Sequence, residues 1–304
     1  MASAIGGQAV LEGVMMRGPR NWAVAVRKPD GEIAQVARTI DPLMARHWSL
    51  RLPIVRGVVA LGESLAVGFR ALSVSANYAA QEEAEGDEEP AEIGRWALFF
   101  SFAIAIGFAL MVFKVGPGLL ADLLPISNGT WFVVVEGLIR VSIFVGYLAL
   151  ISLLPDLRRV FQYHAAEHKA INAYEAGEPL EPQIAQRYSL IHPRCGTAFL
   201  LWVMVLAVFV FAFFGRPVWY WLIATRILLL PVIAGIAYEL IRFAGKHSDN
   251  RALMIALAPG LWLQRLTTRE PTLDQLEVSI HALQEVLEKE GRLDPADRRV
   301  EVMA

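Results

Sequence analysis

Four long apolar runs constrain this chain more than any other feature. Trp96 to Val115 is long enough to cross a bilayer and holds one charge, Lys114, near its end. Trp131 to Leu154 and Pro217 to Leu240 are of similar length, and Gly196 to Gly215 is free of charge throughout. Hydrophobic residues make up 55% of the chain and charged residues 19%, whereas a soluble globular chain has fewer of the first and about a quarter of the second. The opening Met1-Ala2-Ser3-Ala4-Ile5-Gly6-Gly7 has no basic flank before an apolar core and does not read as a signal peptide. The expectation is a mainly α integral membrane protein with about four transmembrane helices, embedded in the lipid bilayer.

Lys and Arg set the orientation. They crowd the segment before the first run (Arg17 to Arg95), the connection between the second and third (Arg158 to Arg194) and the region after the fourth (Arg242 to Arg269). The connection from Gly116 to Thr130 has none, and the turn at Arg216 has one. The positive-inside rule then predicts a multi-pass protein of the cytoplasmic membrane with both termini in the cytoplasm. The single cysteine, Cys195, falls on the same side, where thiols stay reduced.

Residues 1–51 read as a small cytoplasmic β unit. Gln8 to Arg17 is one candidate strand with Gly13 as a bulge or a point of close backbone approach. Trp22–Arg27 and Ile33–Arg38 are two more, joined by a turn through Pro29-Asp30-Gly31. Three short strands cannot close a core, so the unit must pack on other elements, with the cytoplasmic helices as candidates. Within 52–78, Arg56, Glu63 and Arg70 recur every seven residues and mark one stripe of an interfacial amphipathic helix; a true span is the alternative. Residues 79–95 form an acidic linker, and 96–270 the transmembrane bundle. In the bundle, Ala252 to Leu263 is too short to cross and reads as an interfacial or re-entrant piece with Trp262 as anchor. From Thr272, Leu273, Leu276, Ile280, Leu283 and Val286 or Leu287 fall at helical spacing, so 271–304 reads as a cytoplasmic helix and tail.

Chemistry concentrates in His164-Ala165-Ala166-Glu167-His168, on a helix expected over 156–176. Residues four apart share a helix face, so His164 and His168 can bind one divalent metal, zinc by ligand preference. Glu167 lies beside them, placed to act as general base on a metal-bound water; the order His-x-x-Glu-His is that of inverted zincins. Either His192 or Cys195 completes the ligand set, while a buried inert thiol is the plain reading of Cys195. Glu239 is a further candidate ligand. Glu175 is about 10 Å along the axis from His168, too far for the same ion, and with Arg194 is left to support the ligands or contact substrate. A second polar group lies in the bilayer. Glu136 and Arg140 are one turn apart, and Arg140 and Arg226 are each about nine residues into their spans, so the three can cluster.

Several blocks carry a resemblance that runs nearly end to end: Gly6 to Arg17, Asn21 to Arg27, Tyr163 to Lys169, His192 to Thr197, and Pro259 to Pro271. On these the chain resembles the YqhQ-like bacterial membrane proteins, a family of unknown function often labelled as predicted metal-dependent enzymes. The resemblance implies that the polar blocks form a site at the cytoplasmic face; it supplies no substrate. The leading expectation is a membrane-embedded metal-dependent hydrolase acting on a membrane-associated ester, amide or phosphoester. The alternatives are a transporter or lipid-moving protein using the intramembrane charges, and a non-catalytic scaffold with a structural metal. No nucleic-acid partner is expected, and the sequence names no protein partner.

Overall fold

The computed structural model describes residues 5–80, 95–215, 218–247 and 250–291. The acidic stretch 81–94 and the tail 292–304, both expected to lack regular structure, lie outside the described residues.

The N-terminal unit is a four-stranded antiparallel meander, β1 (Gly6–Val10), β2 (Gly13–Arg17), β3 (Asn21–Arg27) and β4 (Ile33–Thr39), in that spatial order. The single strand expected over Gln8–Arg17 is in fact a hairpin. Val10 pairs with Gly13 across a two-residue turn, Leu11-Glu12, with Glu12 at a left-handed φ of 52°. Leu-Glu carries none of the usual hairpin-turn chemistry, so the reversal has no local signal. Gly13 does mark a close approach: a Cβ there would lie 2.1 Å from the Ala25 carbonyl oxygen of β3.

Both faces of the sheet are covered. Large residues Val10, Met15, Trp22, Val24 and Val26 line one face and pack on Val67 and Ala71 of α2 (Val55–Ala80). Small residues Ala23 and Ala25, with Val14 and Met16, line the other. Their small size admits two helices, α6 (Pro155–Ala176) and α11 (Leu273–Lys289). α11 opens on a capping box between Thr272 and Gln275 and buries Leu276, Ile280, Leu283, Val286 and Leu287, each worth about 1.5–3 kcal/mol. The expected periodicity holds there except at Leu273, which is 43% exposed. Between sheet and bundle, α1 (Leu43–Arg46) and a 3₁₀ turn (Trp48–Arg51) lead into α2.

The remaining helices are α3 (Arg95–Leu110), α4 (Gly116–Asp122), α5 (Gly129–Ile151), α7 (Pro182–Ala185), α8 (Gly196–Ala212), α9 (Trp219–Lys246) and α10 (Arg251–Thr267). A π-helical turn, Met111–Val115, joins α3 to α4 without a break. Val55–Ala79, Phe99–Asp122, Gly129–Ile151 and Ala224–Gly245 are each long and apolar enough to cross a membrane. The protein is therefore a mainly α membrane protein, at home in a lipid bilayer. One expected span differs: α8 stops at Ala212 after 17 residues, about 26 Å of helix against a hydrocarbon core of about 30 Å.

Close backbone contacts hold the bundle. A Cβ on Gly137 of α5 would lie 2.1 Å from Val208 of α8, and one on Gly235 of α9 2.5 Å from Ile54, just before α2. Small residues at such crossings let helices pack where no hydrophobic force separates protein from lipid. The polar stripe of α2 is also not what its period predicts. Arg56 pairs with Glu239 of α9, and Glu63 is buried against Arg17 of β2 at 2.6 Å, so these two face protein rather than water.

Candidate metal centre

The site is built on α6. Pro155 occupies its first turn, alanines fill its middle, and Gly177 ends it in the left-handed conformation (φ 85°). The stretch 186–191 is laced onto this helix: Lys169 Nζ donates to the Gln186 carbonyl, and Asn172 Nδ2 to those of Ser189 and Ile191. That lacing brings the His192–Cys195 turn over the helix.

His164 and His168 meet edge to face one turn apart, ring centroids 4.5 Å from each other. In each ring Nδ1 meets a backbone carbonyl, Thr267 at 2.8 Å for His164 and Leu190 at 2.6 Å for His168. A carbonyl only accepts, so both Nδ1 atoms carry a proton, and in the neutral form of each ring Nε2 keeps its lone pair. Thr267 is the last residue of α10, where helix carbonyls have no partner of their own. Cys195, the N-cap residue of α8, brings its Sγ to 3.3 Å from His164 Nε2, and the Thr197 hydroxyl lies 3.2 Å from the same sulfur.

One donor atom from each of His164, His168 and Cys195 thus lies within 4.8 Å of the others. Bonds of about 2.0–2.3 Å to a tetrahedral ion put donors about 3.5 Å apart, so the set fits zinc after small adjustment. The electrostatics agree. Burial opposes ionisation of Cys195, yet His164 and His168 outweigh it and hold the thiol well below its usual range. Burial likewise opposes charge on His164, but Cys195 and then Glu167 push it up to about 9. A thiolate facing two imidazoles is a place that calls for a cation, and without an ion a proton on His164 fills that role.

His192 is not in the set. Its ring centroid is 5.8 Å from that of His168, and its Nε2 points to Glu175 Oε2 at 3.5 Å. Burial pushes His192 below its usual range despite that contact, leaving a neutral ring. Burial also works against the Glu175 carboxylate, but His192 and Arg194 hold it below the usual range. Glu175 therefore spans His192 and Arg194, away from the donor cluster as its distance along the helix requires. Glu239, considered as a ligand, is instead engaged by Arg56 and has Arg242 at 4.0 Å.

Glu167 is 5% exposed and faces β1. The Gly7 backbone lies close against it: a Cβ on Gly7 would meet Glu167 Cγ at 3.0 Å and the Met15 carbonyl at 2.5 Å. Burial lifts Glu167 above the ordinary carboxylate range, with His168 and His164 pulling the other way. The hairpin turn clamps the same helix: Glu12 takes an ion pair from Arg159 at 2.5 Å and lies 3.4 Å from the Tyr163 hydroxyl. Gly7, Leu190, Thr267 and Gln264 act through backbone groups or an uncharged amide, so a search for titratable side chains passes over them. Their one signal is position, since all but Leu190 fall in the Gly6–Arg17 and Pro259–Pro271 blocks.

The intramembrane charges also meet as their depths predicted. Arg140 pairs with Glu136 on α5, and Arg226 of α9 reaches the same carboxylate at 3.1 Å.

Comparison with known proteins identifies a family. The family described as "Protein of unknown function (DUF1385)" matches residues 52–289. The "Uncharacterized protein YqhQ" of Bacillus subtilis (strain 168) is 35% identical over 301 residues, covering 95% of this chain and 93% of the relative. No solved structure matches.

Proposed function

Because the chain belongs to this DUF1385 family, whose description states no activity, we propose its function from the geometry alone: a membrane-embedded, metal-dependent hydrolase acting on a membrane-associated substrate. The observation that carries this reading is the convergence of two lone-pair Nε2 atoms and one Sγ, both imidazoles fixed through Nδ1 by backbone carbonyls. Metal-ligating histidines almost always donate their other ring N–H to a carbonyl, carboxylate or water, as both rings do here, and three protein ligands leave a coordination position for chemistry. When bound, zinc at these atoms supplies Lewis acidity, polarising a carbonyl or phosphoryl oxygen and easing the ionisation of water.

Glu167 does the proton work in this reading. Its raised pKa suits a carboxylate that takes a proton from water and hands it to a leaving group. β1 covers it and keeps bulk water from that side, while the partly exposed His164 marks the approach. Ester, amide and phosphoester substrates all suit this chemistry. The Lys and Arg distribution supports a cytoplasmic site and cytoplasmic termini. The packing of Val67 and Ala71 on the sheet supports reading α2 as interfacial rather than spanning.

The test is elemental analysis of purified full-length protein, wild type beside His168→Ala. About one transition-metal ion per chain is expected in the first and strong depletion in the second. Equal metal in both overturns the site. The near-complete burial of His168 and Cys195 favours one other reading, a structural ion that ties α6 to the start of α8 without catalysis.

A further inference from the structure

At the far end of the bundle from the His/Cys site, one carboxylate is surrounded by more positive charge than it can balance. Glu136 on α5 accepts from Arg140 one turn on and from Arg226 Nη2 of α9 at 3.1 Å. Lys114 lies within electrostatic range of all three. Among the described residues Lys114 has no hydrogen-bond or ion-pair partner. Three cations and one anion leave an excess of two positive charges by formal count.

The group is withdrawn from solvent: the side chains of Glu136, Arg140 and Arg226 are 6%, 11% and 13% exposed. Arg226 stacks over the Phe211 ring at 4.7 Å, which fixes its plane, yet its Nη1 is buried and has no acceptor. Buried guanidinium N–H groups and uncompensated charge are both costly in hydrocarbon, more so than in a soluble core. The backbone is specialised here too. The π-helical turn Met111–Val115 carries Lys114 and turns the Phe113 carbonyl to Arg140 Nε at 3.0 Å. Single π turns inside α-helices recur at functional sites.

Depth identifies what can complete the cluster. Glu136 and Arg226 each lie seven residues from the start of their helices, about 10 Å along the axis. Arginine and lysine side chains at that depth reach toward the headgroup layer. A guanidinium with a free N–H edge and a nearby ammonium together match the oxygens of a phosphate group, the first by planar geometry and the second as a point charge.

We propose that Lys114, Arg140 and Arg226 form an intramembrane anion site for a phosphate group, at the membrane face opposite the metal centre. The phosphate is that of an anionic lipid headgroup or a free phosphate ion. Glu136 holds the two guanidinium groups in place and limits the affinity by its own charge. The site stands whether or not the metal centre is catalytic.

The test uses full-length protein purified in detergent, with two probes: phosphatidylglycerol retention by native mass spectrometry, and thermal protection by inorganic phosphate in lipid-free detergent. Wild type should bind at least one probe, and which one identifies the source. Arg226→Gln should weaken it by about 10- to 100-fold, the range for a charge-assisted hydrogen bond. Lys114→Gln guards against misfolding, because Lys114 makes no bond that the fold needs; it too should weaken binding while metal content stays unchanged. Glu136→Gln should bind the probe more tightly than wild type, an effect that a mere packing clamp does not produce. Wild-type protein that binds neither probe, or a Lys114→Gln protein that binds as wild type does, overturns the proposal.

Discussion

Gln264 of α10 closes both backbone hydrogen bonds of His192, accepting from its N–H at 2.9 Å and donating to its carbonyl at 2.9 Å. The amide is fully buried, so it holds the turn that delivers Cys195 without competition from water. Gln264→Ala leaves the His192 N–H unpaired and its carbonyl with only the longer bond from the Cys195 N–H at 3.3 Å, and should cost about 1–3 kcal/mol in thermal unfolding. It should also weaken metal binding about 10- to 100-fold, as loss of an outer support does. Unchanged affinity in this variant would mean that the turn is held by something else.

The two histidines and the cysteine are separable from His192 by substitution. His192→Ala should keep its metal, because the ring faces Glu175 rather than the donor cluster. It should still lower stability by about 1–3 kcal/mol through the void left by a buried ring. Cys195→Ser should lose most of the metal. Elemental analysis of the pair checks both, and depletion in His192→Ala alone would exchange their roles.

Metal affinity should depend on pH in a specific way. In the ion-free site one proton sits between the Cys195 thiolate and His164, whose pKa is pushed up to about 9. Binding displaces that proton, so affinity should rise about tenfold per pH unit up to about 9 and level off above it. Stability of the ion-free protein should not follow. Between the ordinary histidine value and about 9, the raised His164 adds a proton to the folded state where the lowered Cys195 removes one, and the two cancel. Competition with a chelator across this range measures the slope; a flat profile excludes the thiolate–imidazolium pair.

Glu167→Gln separates catalysis from architecture. The neutral amide fills the same space and leaves the three donors intact, so fold and metal should persist. Rescue of a deletion phenotype should fall by about 10²- to 10⁴-fold if Glu167 is the general base. Full rescue by a metal-loaded Glu167→Gln protein would leave the structural-ion reading as the better account.

Orientation is open to labelling. In a Cys195→Ser background, a cysteine at Asn128, before α5, should react with an impermeant thiol reagent in intact cells. One at Glu178, just after α6, should react only after lysis. The reverse pattern would put the metal centre outside the cytoplasm.

Side-chain chemistry was legible in the sequence where it depends on helical spacing. His164 with His168, Glu136 with Arg140, and the apolar stripe of α11 all follow from three- and four-residue intervals. The depth argument that joined Arg226 to Glu136 worked because helix rise is constant. What stayed hidden was set by tertiary contact. The Leu11-Glu12 turn has no turn residues, and the stripe of Arg56 and Glu63 looks solvent-facing until Glu239 and Arg17 arrive from distant elements. Spacing alone also left His192 and Cys195 equal as candidate ligands; the structure groups Cys195 with the histidine pair and turns His192 toward Glu175.

The small-residue face of the sheet has a consequence for the order of events in biosynthesis. Arg20 and Asn21 give their amide protons to the carboxylate of Glu290, a partner synthesised some 270 residues later. α2 can cover the Trp22 face almost at once, but Ala23 and Ala25 wait for α11. Throughout that interval the meander stays half-wrapped while apolar helices are handed to the bilayer, a delay that exposes strand surface to off-pathway pairing. The proposed metal centre inherits the same schedule: α10 and the last helix follow its three candidate donors off the ribosome, so, on that reading, a ribosome-bound chain lacking residues 250–291 should carry the donors and still fail to hold an ion.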